Sequence, residues 1–137
     1  MTVTAHSGNG HLGLASNGHS EVSLGIDPDG NEDAFNPMEL LLASLAGCMM
    51  KGLQRMVPLL GFHVRAATIT LQASRQDSPP QVESISYEIQ LDTDESDERL
   101  ELLHKNLMKF GTITRTLALA VPMDGTIRRA SLAERPD

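Results

Sequence analysis

Cysteine is nearly missing from this sequence: Cys48 is the only one in 137 residues. A lone cysteine excludes an internal disulfide framework and suits a reducing compartment, so the expected location is the cytoplasm. Aromatics are scarce too, with three Phe, one Tyr and no Trp. That is too little to build a platform for stacking nucleic-acid bases. Basic charge is the minority, with 11 Lys and Arg against 18 Asp and Glu and a net charge of -7. Binding to phosphates needs clustered cations that displace counterions, and these are scattered, so nucleic acid is not an expected partner. Long apolar runs are also lacking. The longest apolar-and-small stretch, residues 40–50, is too short to span a bilayer, so no membrane partner is expected. The opening MTVTAHSGNGHLGL has no positive region leading into an apolar one, which argues against a signal peptide. The length suits one domain, residues 1–137.

What is present reads in clear segments. TVTAH, HLGLAS and SEVSLGI alternate apolar and polar positions, and Gly-containing breaks, SGNG and SNGHS, separate them. This predicts two or three strands in a meander, followed by a polar loop, DPDGNED. Asn36 then suits a helix cap, Pro37 the first helical position, and Glu39 the reciprocal place in a capping box. The predicted helix runs to about Val57, with Pro58 and Gly61 as its stop. Its N-terminal half is apolar or small on every side and needs cover all round, part of it from a second subunit. Residues 63–75 and 82–92 alternate as strands, the second with Ile85, Tyr87, Ile89 and Leu91 inward. Acids open a further helix in which Leu100, Leu103, Leu107 and Phe110 recur at helical spacing. Gly111 breaks it, TITRTLALA is short and helical, and AVPMDGTIRRA closes the chain as a turn or strand. The fold class is α+β: antiparallel strands packed on a central buried helix, plus a second helical region.

Cys48 is the main candidate for chemistry. A free cysteine is often a small buried hydrophobe, and apolar surroundings leave it inert. Nearby cations instead favour the thiolate, and an ordinary thiol is only about a few per cent ionised at neutral pH. Lys51 and Arg55, three and seven residues on, share its helical stripe with Leu41 and Ser44. Glu39 is a second candidate, as a carboxylate near a thiol. Nine residues at about 100° each turn it roughly 180° from Cys48 within one helix, and the capping box already accounts for it. The five histidines, His6, His11, His19, His63 and His104, lack metal-ligand spacing and a second cysteine, so neither a metal nor another cofactor is expected.

NPMELLLASLAGCMM, with Gly47-Cys48 closing eleven residues after Pro37, resembles the core signature of the OsmC/Ohr family. Its PMELLLASLAGC form is most similar to the OsmC-like branch. The element order matches as well, over nearly the whole chain. The resemblance implies an intertwined homodimer around the central helices. It also implies reduction of organic hydroperoxides by two cysteines, the first of which corresponds to Cys48. This chain departs from that pattern. Gly111 and Thr112 stand where the family's second Cys-Pro would be, and Met38 stands where a Glu follows the helix-start Pro. No arginine precedes Arg55 to hold the thiolate, which leaves Lys51, Arg55 or Arg115 as substitutes. Two functions remain open. One is thiol-dependent reduction of organic hydroperoxides through Cys48 alone, with an external thiol as reductant and a role in oxidative stress defence. The other is a catalytically degenerate OsmC-like protein that binds a small hydrophobic molecule or is structural.

Overall fold

The computed structural model describes residues 1–8 and 10–135; Asn9, in the first Gly-containing break, lies outside them. The chain divides into two compact units, Met1–Ala43 and Ser44–Asp137.

In the first unit, β1 (Thr4–Ser7), β2 (Leu12–Ser16) and β3 (Glu21–Gly25) form an antiparallel meander in that order. The turn from β2 to β3 is built by Asn17, whose Oδ1 accepts from the amides of His19 and Ser20 at 2.9 and 2.8 Å. Gly18 takes φ +94° there, a conformation costly for any residue with a Cβ. In the acidic loop that follows, Asp27 and Asn31 accept from the amides two residues on, as turn-forming side chains do. The capping box is formed at the start of the long helix α1 (Pro37–Leu59). Asn36 Oδ1 accepts from the Glu39 amide, and Glu39 Oε1 accepts from the Asn36 amide, both at 2.9 Å. Asn36→Ala removes the side-chain half of this exchange and leaves the Glu39 carboxylate on the backbone amide of residue 36. It is expected to cost about 1 kcal/mol, read as a lower urea midpoint with an unchanged slope.

Helix α1 ends later than the sequence suggests. Pro58 is accommodated inside the last turn, and Gly61, at φ +70°, makes the stop. Arg99 supports this end: its Nη2 donates to the carbonyls of Leu60 and Gly61, and its guanidinium lies 4.3 Å over the Phe62 ring.

The second unit is organised by a long hairpin, β4 (Val64–Asp77) and β5 (Pro80–Thr93). The two predicted strands on either side of SPPQ are thus the arms of one ribbon. Register shifts at Val64/Ala66 and at Ser74/Arg75 interrupt the pairing. The second explains why the apolar phase changes between Val82 and Ile85: Ser74 pairs with Ser84 but Arg75 with Val82, leaving Glu83 extra. After β5 come α2 (Asp97–Phe110), α3 (Thr112–Ala120) and β6 (Met123–Arg129). β6 pairs with β5 in parallel, not antiparallel, and the sheet order is β4-β5-β6. A connection that carries two helices returns the chain to the end of the sheet where β5 began, which a parallel neighbour requires.

The core lies between this sheet and the helices. β5 contributes Ile85, Tyr87, Ile89 and Leu91; α2 contributes Leu100, Leu103 and Leu107; α1 contributes Leu45, Met49, Leu53 and Met56. The α1 residues form one stripe at helical spacing, and Gly52 lets α1 come close to α2: a Cβ there would stand 2.8 Å from Leu107 Cδ2. The rest of α1 is less covered than a centrally buried helix would be, with Ser44 and Gly47 exposed and Met50 at 42%. At the sheet, Gly125 pairs with Tyr87, and a Cβ on Gly125 would overlap the Tyr87 ring and carbonyl.

Tyr87 also anchors a part-buried polar cluster. Its hydroxyl lies 2.6 Å from His104 Nε2 and 3.1 Å from Met108 Sδ, within hydrogen-bonding reach of both. Burial pushes the His104 pKa below its ordinary value, opposed by the nearby Glu101 carboxylate. The unfolded chain therefore binds the imidazole proton more readily than the folded one. The contribution of neutral His104 to stability is complete above pH 6.5 and is lost as the pH falls through the lower folded value. The urea midpoint should accordingly drop between about pH 7.5 and pH 5.5 more steeply in the wild type than in His104→Gln.

Candidate functional site

Cys48 sits in the middle of α1, on the flank of the stripe that Leu45, Met49 and Leu53 bury, and its side chain is part-buried. Its sulfur faces α3. Sγ lies 3.8 Å from Thr114 Oγ1, across 66 residues of sequence. Among the described residues this hydroxyl is the hydrogen-bond partner of the sulfur, and no Lys or Arg nitrogen reaches it. Thr114 is 2% exposed.

The local sequence explains how Thr114 arrives there. Gly111 ends α2, with its amide bonded to the Leu107 carbonyl at 3.2 Å, and it also caps α3 without any side-chain bond. Thr114 is the third residue of α3, so the sulfur rests against the first turn of a helix, the end that attracts negative charge. A Cβ at Gly111 would lie 2.8 Å from Thr114 Oγ1 and 3.1 Å from Thr114 Cβ. The space that a side chain at 111 would need is therefore filled by the Thr114 side chain.

The sequence singled out four other residues. Lys51 and Arg55 continue α1 beyond Cys48 and are exposed. Arg115 follows Thr114 but turns away: its Nη1 donates to the Lys109 carbonyl at 3.1 Å. Glu39 is in the first unit, with its carboxylate on the Asn36 amide. Thr114 was not singled out from the sequence; the signal that could have found it is its place three residues after Gly111, in the segment that stands where the family carries its second-cysteine motif. Among the described residues no group of three His, Cys, Asp or Glu side chains could hold a metal ion. No helix among them is long and apolar enough to cross a membrane.

A cavity of about 310 Å³ opens further along α1, lined by Leu53, Val57, Val64, Ala66 and Arg65 among others. Arg65 is already engaged there, with Asp92 at 2.9 Å and Asp94 at 3.2 Å. The guanidinium holds the Asp94 carboxyl below its ordinary range.

Comparison with known proteins bears on the whole arrangement. The family model described as OsmC-like protein matches residues 30–124. Among solved structures, the chain resembles the OsmC-like protein of Mycoplasma pneumoniae at 16% identity, over 95% of this chain and 96% of that one, with a TM-score of 0.86. It resembles the organic hydroperoxide resistance protein OsmC of Legionella pneumophila at 16% identity, over 93% and 96% of the two chains, with a TM-score of 0.73. The organic hydroperoxide resistance protein OhrB of Bacillus subtilis is similar at 14% identity, over 93% and 96%, with a TM-score of 0.69. At such identities the likeness concerns the fold. No curated protein sequence matches the chain. The family model spans more than half of the sequence, from the acidic loop through Cys48 to β6, and the chain belongs to the OsmC-like protein family.

Proposed function

We propose that this protein reduces organic hydroperoxides with Cys48 as its single reacting sulfur and an external thiol as reductant. The observation that carries the reading is the setting of the sulfur: it is part-buried, and it meets the hydroxyl of a buried threonine. Membership of a family in which similar folds belong to organic hydroperoxide resistance proteins supports the choice of substrate. In the proposed cycle the Cys48 thiolate attacks the terminal oxygen of the peroxide. The S–O bond forms as the O–O bond breaks, two electrons pass from sulfur to oxygen, and the alkoxide leaves and takes a proton to become the alcohol. The product is a sulfenic acid. An external thiol then attacks that sulfur, water departs with the thiol proton, and a mixed disulfide remains. A second thiol releases Cys48 and carries away the disulfide. Lys51 and Arg55 supply positive potential along the stripe of α1 on which Cys48 lies, Arg115 does so from α3, and Glu39 holds the helix start.

The same reading takes the protein to be a homodimer in a reducing cytoplasm. Exposed apolar residues support pairing: Met50 at 42%, Phe110 at 47% and Ile113 at 36% would be covered by a second copy. The test is steady-state consumption of cumene hydroperoxide with dithiothreitol, comparing the wild type with Cys48→Ser. Equal rates refute the enzyme. A second reading, a catalytically degenerate OsmC-like protein that binds a small hydrophobic molecule, is supported by the cavity along α1. Saturable uptake of an apolar fluorophore by an inactive protein would favour it.

A further inference from the structure

The geometry points to Thr114 as the hydrogen-bond donor that holds the Cys48 sulfur in its anionic form and fixes its direction of attack. The inference rests on the reading of Cys48 as a nucleophile and adds a residue to it. Two threonines of α3 behave differently. Thr116 does what a helical threonine commonly does, donating from Oγ1 to the carbonyl four residues back, Thr112, at 2.8 Å. Thr114 does not. Its hydroxyl is as buried as a core atom, and Cys48 Sγ is its hydrogen-bond partner among the described residues. With the thiol neutral either group can donate across this 3.8 Å contact, and the bond is weak in both directions. The same hydroxyl aimed at a thiolate makes a charge-assisted bond, which is about twice as strong. The pair is thus better matched with the sulfur ionised than with it protonated.

Gly111 belongs to the same arrangement. With no side chain at 111, Thr114 can take the rotamer that faces Cys48, since a Cβ there would stand 2.8 Å from its Oγ1. Thr114 therefore occupies the volume between position 111 and the sulfur. Any thiol that resolves oxidised Cys48 must approach from outside the chain, along the part-exposed side of the cysteine.

The test is the rate of iodoacetamide labelling of Cys48 from about pH 6 to about pH 10, which brackets the titration of an ordinary thiol. Wild type, Thr114→Val, Thr114→Ala and Thr114→Ser are compared, each checked for folding by circular dichroism. Valine keeps the shape of threonine without its hydroxyl. Alanine removes the hydroxyl without adding bulk, so one variant covers for misfolding in the other. Near neutral pH the valine and alanine variants should label about tenfold more slowly than the wild type, matching the loss of one hydrogen bond to a charged group. At the alkaline end, where the sulfur is ionised in all of them, the rates should converge. Thr114→Ser should stay within about twofold of the wild type across the range, since it keeps the donor. Labelling of valine and alanine variants at the wild-type rate, with a wild type that is itself reactive near neutral pH, overturns the role of Thr114 and leaves the nucleophile standing. So does equal slowing at every pH, which reports altered access and not altered ionisation. A wild-type sulfur that labels only on unfolding overturns the nucleophile, and this proposal with it.

Discussion

Cys48→Ser is expected to lower the consumption of cumene hydroperoxide by the protein and dithiothreitol to the rate of dithiothreitol alone. Serine preserves the size and position of the side chain, but its hydroxyl is far less readily ionised than a thiol and does not accept an oxygen from a peroxide. The rest of the site cannot compensate, because the chain has no other cysteine. The same absence makes a second, independent prediction about the wild type. Where a chain carries two cysteines, a sulfenic acid condenses with its neighbour and is protected. Here the sulfenic acid at Cys48 can only wait for an external thiol. Hydroperoxide in excess, with thiol withheld, should therefore drive Cys48 to the sulfinic acid, seen by mass spectrometry as two oxygens added to its peptide. Activity should not return when thiol is restored, whereas thiol present from the start should protect it. An oxidised peptide that stops at one oxygen under prolonged excess would mean that the sulfur is shielded in some other way.

Gly125→Ala is expected to be the most costly single-methyl change in the second unit. The added carbon would overlap both the ring and the carbonyl of Tyr87, its partner across the β5–β6 ladder. A ring alone could turn aside, but a backbone carbonyl in a central strand cannot. Overpacking usually costs about 1–3 kcal/mol, and the backbone contact places this case at about the upper limit. For a chain of this length that corresponds to a fall in Tm of roughly 10 °C. It would also disturb the hydrogen bond between Tyr87 and His104, so the pH slope of stability should weaken together with the Tm. Gly47→Ala provides the contrast. A Cβ at Gly47 would meet no neighbouring atom within 4 Å, and alanine favours a helix over glycine by about 1 kcal/mol. The change should stabilise the isolated chain, and a loss instead would report a second copy packed on that face of α1.

How much of this was legible depends on the range of the interaction. The capping box at Asn36 and Glu39 is local, spelled by residues three apart, and forms as read. The alternation of Ile85, Tyr87, Ile89 and Leu91 is likewise a property of one strand, and all four are buried. Pro58 misled because so close to the helix end its missing amide forfeits a single hydrogen bond and no later turns depend on it, while the left-handed Gly61 makes the real stop. The parallel pairing of β6 could not be read from a strand pattern, because direction is decided by what intervenes, here two helices. The α+β class and the order of elements came from local patterns. The hydroxyl facing the sulfur did not. It depends on where α3 lands, and on an empty position at Gly111 that a sequence shows only as the absence of a side chain.

The parallel ladder also sets an order of assembly. β4 and β5 are joined by a tight turn and can zip together soon after both have left the ribosome, but the far edge of β5 stays bare until α2 and α3 have been synthesised and folded back. A nascent chain stalled before Met123 would expose that row of unmet amides and carbonyls to any neighbouring chain. β6 thus acts as a seal, and slow synthesis or loss of that strand would be felt first as loss of soluble protein.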